Sequence, residues 1–249
     1  MEMKKLIACL ACILIGTEVY ACCLGDSLRI MSYNVRNGIG MDSKQDYERV
    51  AAVISEVNPD VIALQELDSM TRRSKNTYVL ERIARYTGMN YVYGAAIDYD
   101  GGKYGIGIMS KEKPLKVKNV PLPGSEEART LLIVEFKEYV FLATHLSLTA
   151  SDQLASIDIV LKEIKKTKKP VFMAGDMNSI PVSPTQVAIR KYFETFTDSN
   201  WKTCNGECID FIYGYKNKKA TVSVINRVLV EDYVASDHCP IFVDVRYRK

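Results

Sequence analysis

The segment Val171-Phe172-Met173-Ala174-Gly175-Asp176-Met177-Asn178 is an apolar run of strand length that breaks at a glycine into an acid and an amide. Such a run reads as a strand buried on both faces, with its polar residues delivered at the strand end. The pattern recurs along the chain. Met31-Ser32-Tyr33-Asn34 ends in an amide, Ile62-Ala63-Leu64-Gln65-Glu66 in a carboxylate, and Phe141-Leu142-Ala143-Thr144-His145 in an imidazole. Ser236-Asp237-His238 directly precedes a closing strand, and Asp210 opens the run Ile209–Tyr213. In sheet proteins ligands gather beyond strand ends, where rigid backbone aims several side chains into one crevice.

Working outward, Ser27–Val35 reads as a strand, and Val50, Val53, Ile54 and Val57 give Asp46–Val57 a helical face that Asn58-Pro59 stops. Val61–Leu64 is a short buried strand and Tyr78–Tyr86 a helix. Closely spaced strands follow at Tyr91–Tyr93, Gly105–Ser110, Leu115–Val120, Thr130–Phe136 and Val140–His145, with Gly and Pro in the turns. Leu154, Ile157, Val160, Leu161 and Ile164 form one helical face ending near Lys166. Thr221–Val230 and Ile241–Val245 are the last strands. No linker, heptad or repeat interrupts the chain. Many strands, few helices and mixed connections predict one α/β domain over 27–249, with two packed sheets flanked by helices.

Composition sets the outer limits. With 47% hydrophobic and 25% charged residues, the 249-residue chain is neither a disordered tail, a collagen-like repeat nor a multi-span membrane protein. A formal charge of +3, from 33 basic and 30 acidic residues, argues against a charge-driven nucleic-acid coat. The only histidines, His145 and His238, cannot build a three-histidine zinc site.

The first residues read as a targeting segment. Lys4 and Lys5 precede the apolar run Leu6–Ile15, and small residues lead to Ala21-Cys22, so residues 1–21 are expected to be a secretory signal. Val-Tyr-Ala-Cys resembles a lipobox, which makes Cys22 a candidate lipid anchor and membrane tether. Export, to the periplasm, the medium or the outer surface, would permit a disulfide between Cys204 and Cys208; two unpaired loop thiols is the alternative. Cys239 reads as a small buried residue, lacking the helix start that would activate it.

Singly, each strand-end residue has an ordinary reading: Asn34 a turn cap, Glu66 and Asp68 solvent carboxylates, Asp176 and Asn178 loop residues. Together, SYNVRNG, DVIALQELD, ATHLS, GDMNSIP, CIDFIYG and SDHCPI stand in the order seen in the endonuclease/exonuclease/phosphatase superfamily, which this chain resembles over Ser32–Val245. The resemblance implies a four-layer α/β/β/α sandwich of two mixed β-sheets. It also implies metal-dependent hydrolysis of a phosphoester, usually with magnesium, with manganese as a substitute.

Position by position, Asn34 and Glu66 match the metal-site residues, Glu66 being the main ligand, and Asp237 the acid that helps hold the site. His238 matches the catalytic histidine and Asp210 the carboxylate that orients it. Asp176 and Asn178 match residues flanking the attacking water and the phosphate. His145 matches the phosphate-binding histidine of the deoxyribonuclease, sphingomyelinase and phosphatase branches, where abasic-site repair nucleases usually carry Tyr. Arg129 resembles a substrate-contacting arginine; a surface ion pair with Glu126 or Glu127 is the other reading.

The residue types suit the chemistry. A hard divalent cation prefers carboxylate oxygen and offsets charge developing on phosphoryl oxygens. His238 held by Asp210 is a candidate base, with Asp176 its rival. Asn178 and His145 can donate to transition-state oxygens. A phosphodiesterase is the leading expectation; a phosphomonoesterase acting on a small or lipid-headgroup phosphate, or a binding module on the same scaffold, are the alternatives. The substrate class stays open among nucleic acid, lipid headgroups and soluble phosphate esters. A monomer is expected, and the sequence points to no protein partner. The basic run Lys162, Lys165, Lys166, Lys168 and Lys169 reads as a solvated outer face of its helix.

Overall fold

Asp26–Asn34 (β1) carries apolar side chains to both of its faces. Leu28 and Ile30 point one way, Met31 and Tyr33 the other, and each set joins a different core. Val61–Ser69 (β2) repeats this, with Val61 and Ala63 opposite to Ile62 and Leu64. A strand covered on both sides cannot show the alternation of an exposed sheet, which is why these segments read as continuous apolar runs. The computed structural model describes residues 26–216 and 220–248. The expected signal, residues 1–21, and the expected anchor Cys22 lie outside the described residues.

Two six-stranded sheets result. The first adds Asn90–Tyr99 (β3), Gly102–Ser110 (β4), Thr221–Leu229 (β11) and Ile241–Arg248 (β12), in the order β11-β12-β1-β2-β4-β3. The second contains Lys116–Leu122 (β5), Arg129–Glu135 (β6), Val140–His145 (β7), Val171–Asp176 (β8), Phe193–Thr195 (β9) and Asp210–Tyr215 (β10), ordered β5-β6-β7-β8-β10-β9. Each sheet holds one parallel pair, β1 with β2 and β7 with β8; the remaining pairings are antiparallel.

The sheets face each other through Ile30, Ala63, Leu132, Phe141, Phe172 and Val243, all fully buried. Helices cover the outer faces. Tyr47–Val57 (α1) and Val79–Thr87 (α2) lie on the first sheet. Ala150–Ile164 (α3) and Pro184–Tyr192 (α4) lie on the second. This is the expected four-layer sandwich. Asp46, read as the first helical residue, is instead the N-cap of α1, accepting from the Arg49 N–H at 2.9 Å. Two elements escaped the periodicity, α4 and β9. The α4 helix buries Thr185 and Gln186 among its core contacts, so its apolar stripe is broken; its legible signal was the cap Ser183 followed by a proline at the first turn. Among the described residues no helix is long and apolar enough to cross a membrane.

Both parallel pairs run toward the same end of the sandwich, because the end of β1 touches the end of β8. Reaching that contact demands close strands. Gly175, with φ +156°, lies opposite Thr144 in the β7–β8 register, and a Cβ there would stand 1.9 Å from the Thr144 carbonyl oxygen. Gly175→Ala should therefore force β7 and β8 apart and lower stability by about 3 kcal/mol. Urea unfolding measures this, and an unchanged midpoint would show that the strands have room to part.

Candidate active site

Register builds the centre of the site. Asp176 ends β8, with His145 paired to it on β7 and Asp210 on β10. Residues paired across strands put their side chains on one face, so a buried carboxylate, a buried imidazole and a second buried carboxylate share one patch. The first sheet supplies the rest. The Asn34 amide nitrogen, at the end of β1, donates to Glu66 Oε1 at 2.9 Å and to Asp176 Oδ2 at 3.1 Å. Its oxygen accepts from the Arg36 N–H at 3.1 Å. Only this orientation satisfies all three, since carboxylates accept and an N–H donates.

Glu66 reaches Asn34 through a backbone irregularity. The β2–β4 register slips between Leu64 and Leu67, and Glu66 takes φ +58° inside that bulge. A non-glycine residue there costs roughly 1–2 kcal/mol, and bulges serve to re-aim a side chain. Asn178 also takes a left-handed φ, +46°. Its N–H donates to Asp176 Oδ1 and its side-chain amide to the Leu146 carbonyl, each at 2.9 Å.

His238 comes from the segment before β12. Its Nδ1 lies 2.8 Å from Asp210 Oδ2, and its Nε2 3.7 Å from Asp176 Oδ2. Ser236 anchors this segment by donating to the Asn34 carbonyl at 2.8 Å. His145 Nε2 stands 3.5 Å from the same Asp176 oxygen. One carboxylate thus receives Asn34 and faces both histidines of the chain.

The two histidines differ in charge. Burial depresses the basicity of His238, but the Asp210 carboxylate, with Asp176 behind it, overrides burial and pushes it up to about 12. Burial raises the Asp210 carboxyl, and the adjacent imidazolium pulls it back. For His145 burial wins: Asp176 opposes it, Arg129 reinforces it, and the ring is held below the usual histidine range. A neutral His145 can accept from Arg129, whose Nη1 is 3.4 Å from Nδ1.

A divalent cation fits this donor set. Glu66 is a half-buried carboxylate open to the crevice. Donor atoms of Asp176, Asp210 and His238 lie within 4.8 Å of one another, and Asp210 Oδ1 is buried without a hydrogen-bond partner among the described residues. Buried carboxylates need positive charge nearby. Asn34, expected beside the metal, turns its nitrogen toward both carboxylates and so serves as their donor. Asp237 stands at the rim, 3.4 Å from Arg36 Nε and outside the buried Asp176–Asp210–His238 cluster.

Arg129 makes the ion pairs of one reading, but not at the surface. It pairs with Glu127 at 3.1 Å and Glu126 at 3.4 Å, yet it is only 8% exposed and lines a recess with Tyr104 and His145. Asp68 is no solvent carboxylate: it is fully buried, held by Arg73 at 2.7 and 2.8 Å and by the Thr71 hydroxyl at 2.6 Å. Arg73 in turn lies over the Tyr99 ring, so this arginine braces the rim, and Arg72 pairs with Asp100. Gln153 was not legible as a site residue. From the buried face of α3 its amide donates to the Ser147 and Asn178 carbonyls at 2.7 and 2.9 Å, tying the loops after β7 and β8 together. A glutamine at a core-facing helical position was the available signal.

A model of the Endonuclease/Exonuclease/phosphatase family matches residues 31–238, and the chain belongs to that family. Three solved structures place it further. An endonuclease/exonuclease/phosphatase from Beutenbergia cavernae is 22% identical, with TM-score 0.71 over 88% of this chain and 71% of that one. The mannosyl-6-phosphatase of Bacteroides thetaiotaomicron is 17% identical, with TM-score 0.68 over 88% and 99%. A TDP2 from D. rerio, humanized by 14 mutations, is 23% identical, with TM-score 0.68 over 88% and 99%. At these identities the likeness is one of fold. The family is one of phosphoester hydrolases.

Of the two readings left open for Cys204 and Cys208, the structure shows the unpaired one. Both are free and buried, and burial pushes the Cys208 thiol up to about 12. Cys204 instead forms a backbone bridge with His238, fixing the histidine's approach. Alkylation in denaturant without reductant should label Cys204 and Cys208, while the folded protein reacts slowly. Peptide mass spectrometry that finds them linked would reverse this.

Glu126 clamps the Arg129 loop to the loop after β7. Burial works against its charge, but the Leu148 N–H, the Ser147 hydroxyl and Arg129 hold its carboxyl down to about 2, from an ordinary 4.5. The clamp is therefore complete above about pH 4.5 and lost as the pH falls toward 2. Wild type should lose its stability advantage over Glu126→Gln across that window. A difference independent of pH would remove the ionic basis of the clamp.

Proposed function

We propose that the protein is a divalent-metal-dependent phosphodiesterase that hydrolyses its substrate by in-line attack of water. The observation that carries this reading is the in-register patch of Asp176 between His145 and Asp210, joined through Asn34 to Glu66. Glu66, with Asp237 at the rim, would hold the cation, magnesium with manganese as a substitute. In the buried cluster His238 engages Asp210 Oδ2, and Asn34 and Asn178 engage Asp176, which leaves Asp210 Oδ1 without a partner among the described residues. Bound there, the cation supplies Lewis-acid charge to the phosphoryl oxygens.

The chain's own residues divide the rest of the work. His238 is held protonated by its two carboxylate neighbours, so it donates rather than accepts. That favours Asp176 as acceptor of the water proton, with Asn178 and Asn34 holding the carboxylate in place. His238 then stabilises a phosphoryl oxygen and can return a proton to the leaving oxygen. Asp210 keeps the ring oriented, in the manner of a hydrolase dyad. His145 and Arg129 face the recess where the substrate phosphate or its substituent would sit. Sequence alone supports placing this activity outside the cytoplasm, through the signal in residues 1–21 and an anchor at Cys22.

Hydrolysis of a chromogenic phosphodiester and a phosphomonoester, each with magnesium, manganese or chelator, tests the proposal. Diester turnover that chelator abolishes is expected. Monoester preference would move the activity to a phosphatase, and the absence of turnover with any metal would favour a binding module. Glu66→Ala and His238→Ala should each fold and lose about 10²–10⁴-fold in turnover. Retained activity in either folded variant would remove that residue from the mechanism.

A further inference from the structure

The end of the sandwich opposite the site carries a different charge. Register brings together there Asp26 at the start of β1, the end of β12, the end of β4 and the β6–β7 turn. Rings of Tyr139 and Tyr247 meet across the two sheets at this end, 6.2 Å apart. Five acids stand at this end, Asp26, Asp60, Glu112, Glu135 and Glu138. Asp60 is held by Lys111 and the Arg29 N–H, Glu135 by Lys116 and Lys169, and Glu112 by the Lys137 N–H. The lysines outnumber them. Lys113, Lys137, Lys165, Lys166 and Lys168 are exposed, and none has a side-chain ion pair among the described residues. The site end carries both signs, with Asp42, Asp100, Glu127 and Asp237 paired to Arg49, Arg72, Arg129 and Arg36. The overall charge is only +3, so a local cluster of lysines rather than net charge distinguishes this pole.

We propose that this lysine-rich pole docks on an anionic lipid bilayer and turns the catalytic end outward. Three observations select a bilayer. Unpaired lysines on one pole suit the negative potential of anionic lipids. Leu115 and Val117, 61% and 49% exposed, stand among these lysines, where aliphatic side chains can enter an interface. Cys22, the expected lipid anchor, lies four residues before Asp26, which stands on this same pole. The nine residues of β1 then set the site roughly 25–30 Å from the surface. The solvated lysine face predicted from the sequence thus becomes a contact surface.

The test is sedimentation of the full chain with vesicles of phosphatidylcholine alone or with phosphatidylglycerol added. Binding is read without turnover, so it stands or falls apart from the hydrolase proposal. Wild type should bind the anionic vesicles more tightly than the neutral ones, by a margin that salt removes. Lys113→Glu/Lys166→Glu/Lys168→Glu should shrink that margin at least about tenfold, whereas Lys44→Glu, at the site end, should leave it intact. Equal binding to both vesicle types, or a triple variant that binds like wild type, overturns the proposal. So does loss of duplex-DNA binding in the triple variant with its vesicle binding unchanged, which would assign the pole to nucleic acid. Should the triple variant not fold, the salt response of wild type on the two vesicle types decides alone.

Discussion

The Asn34 side chain is the joint on which the site depends. It leaves the first sheet and spends both amide hydrogens on carboxylates, one from each sheet. Two carboxylates brought this close would repel, and a neutral donor between them removes much of that cost without adding a charge. The joint needs its own support, given by the Arg36 N–H on its oxygen and Ser236 on its carbonyl. Displacing Asn34 would therefore disturb both sheets' contributions together. Around this joint the backbone accepts strain, at Glu66 and Asn178, costs of the kind that surrounding strand pairing can offset.

Electrostatics then separates groups of one type into different roles. His145 and His238 face the same Asp176 oxygen, yet one is neutral and the other charged. The difference lies in the second neighbour: Arg129 for His145, Asp210 for His238. Of the carboxylates, Asp176 and Asp210 are buried, while Glu66 opens to the crevice. On the proposed mechanism a single crevice would thus contain a proton donor, a proton acceptor and a cation ligand, built from residues that share chemistry but not surroundings.

Much of this was legible in the chain itself. Strands buried on both faces leave continuous apolar runs, and polar residues ending such runs stand out against them, so Asn34, Glu66, His145, Asp176, Asp210 and His238 are visible in the sequence alone. What escaped was set by tertiary context. Asp68 and Asp237 look alike in sequence, yet one is buried under Arg73 and the other lies at the rim. Gln153 and Thr185 sit in helices as polar residues whose partners are remote in the chain, and α4 lost its stripe for the same reason. Arg129 defied an either-or reading because its acidic partners and His145 surround it together. Cys204 and Cys208 had a spacing that allows pairing, but both thiols are buried and free.

The pairing of Asp26 with Tyr247 has a consequence for how the fold can be built upon. The first and last strands lie one inter-strand spacing apart, about 5 Å, at the end remote from the chemistry. Segments appended before β1 or after β12 would meet each other before they met the crevice. The domain could be inserted as a unit into another polypeptide, or have its ends joined and be reopened at a different loop, with the catalytic geometry left alone.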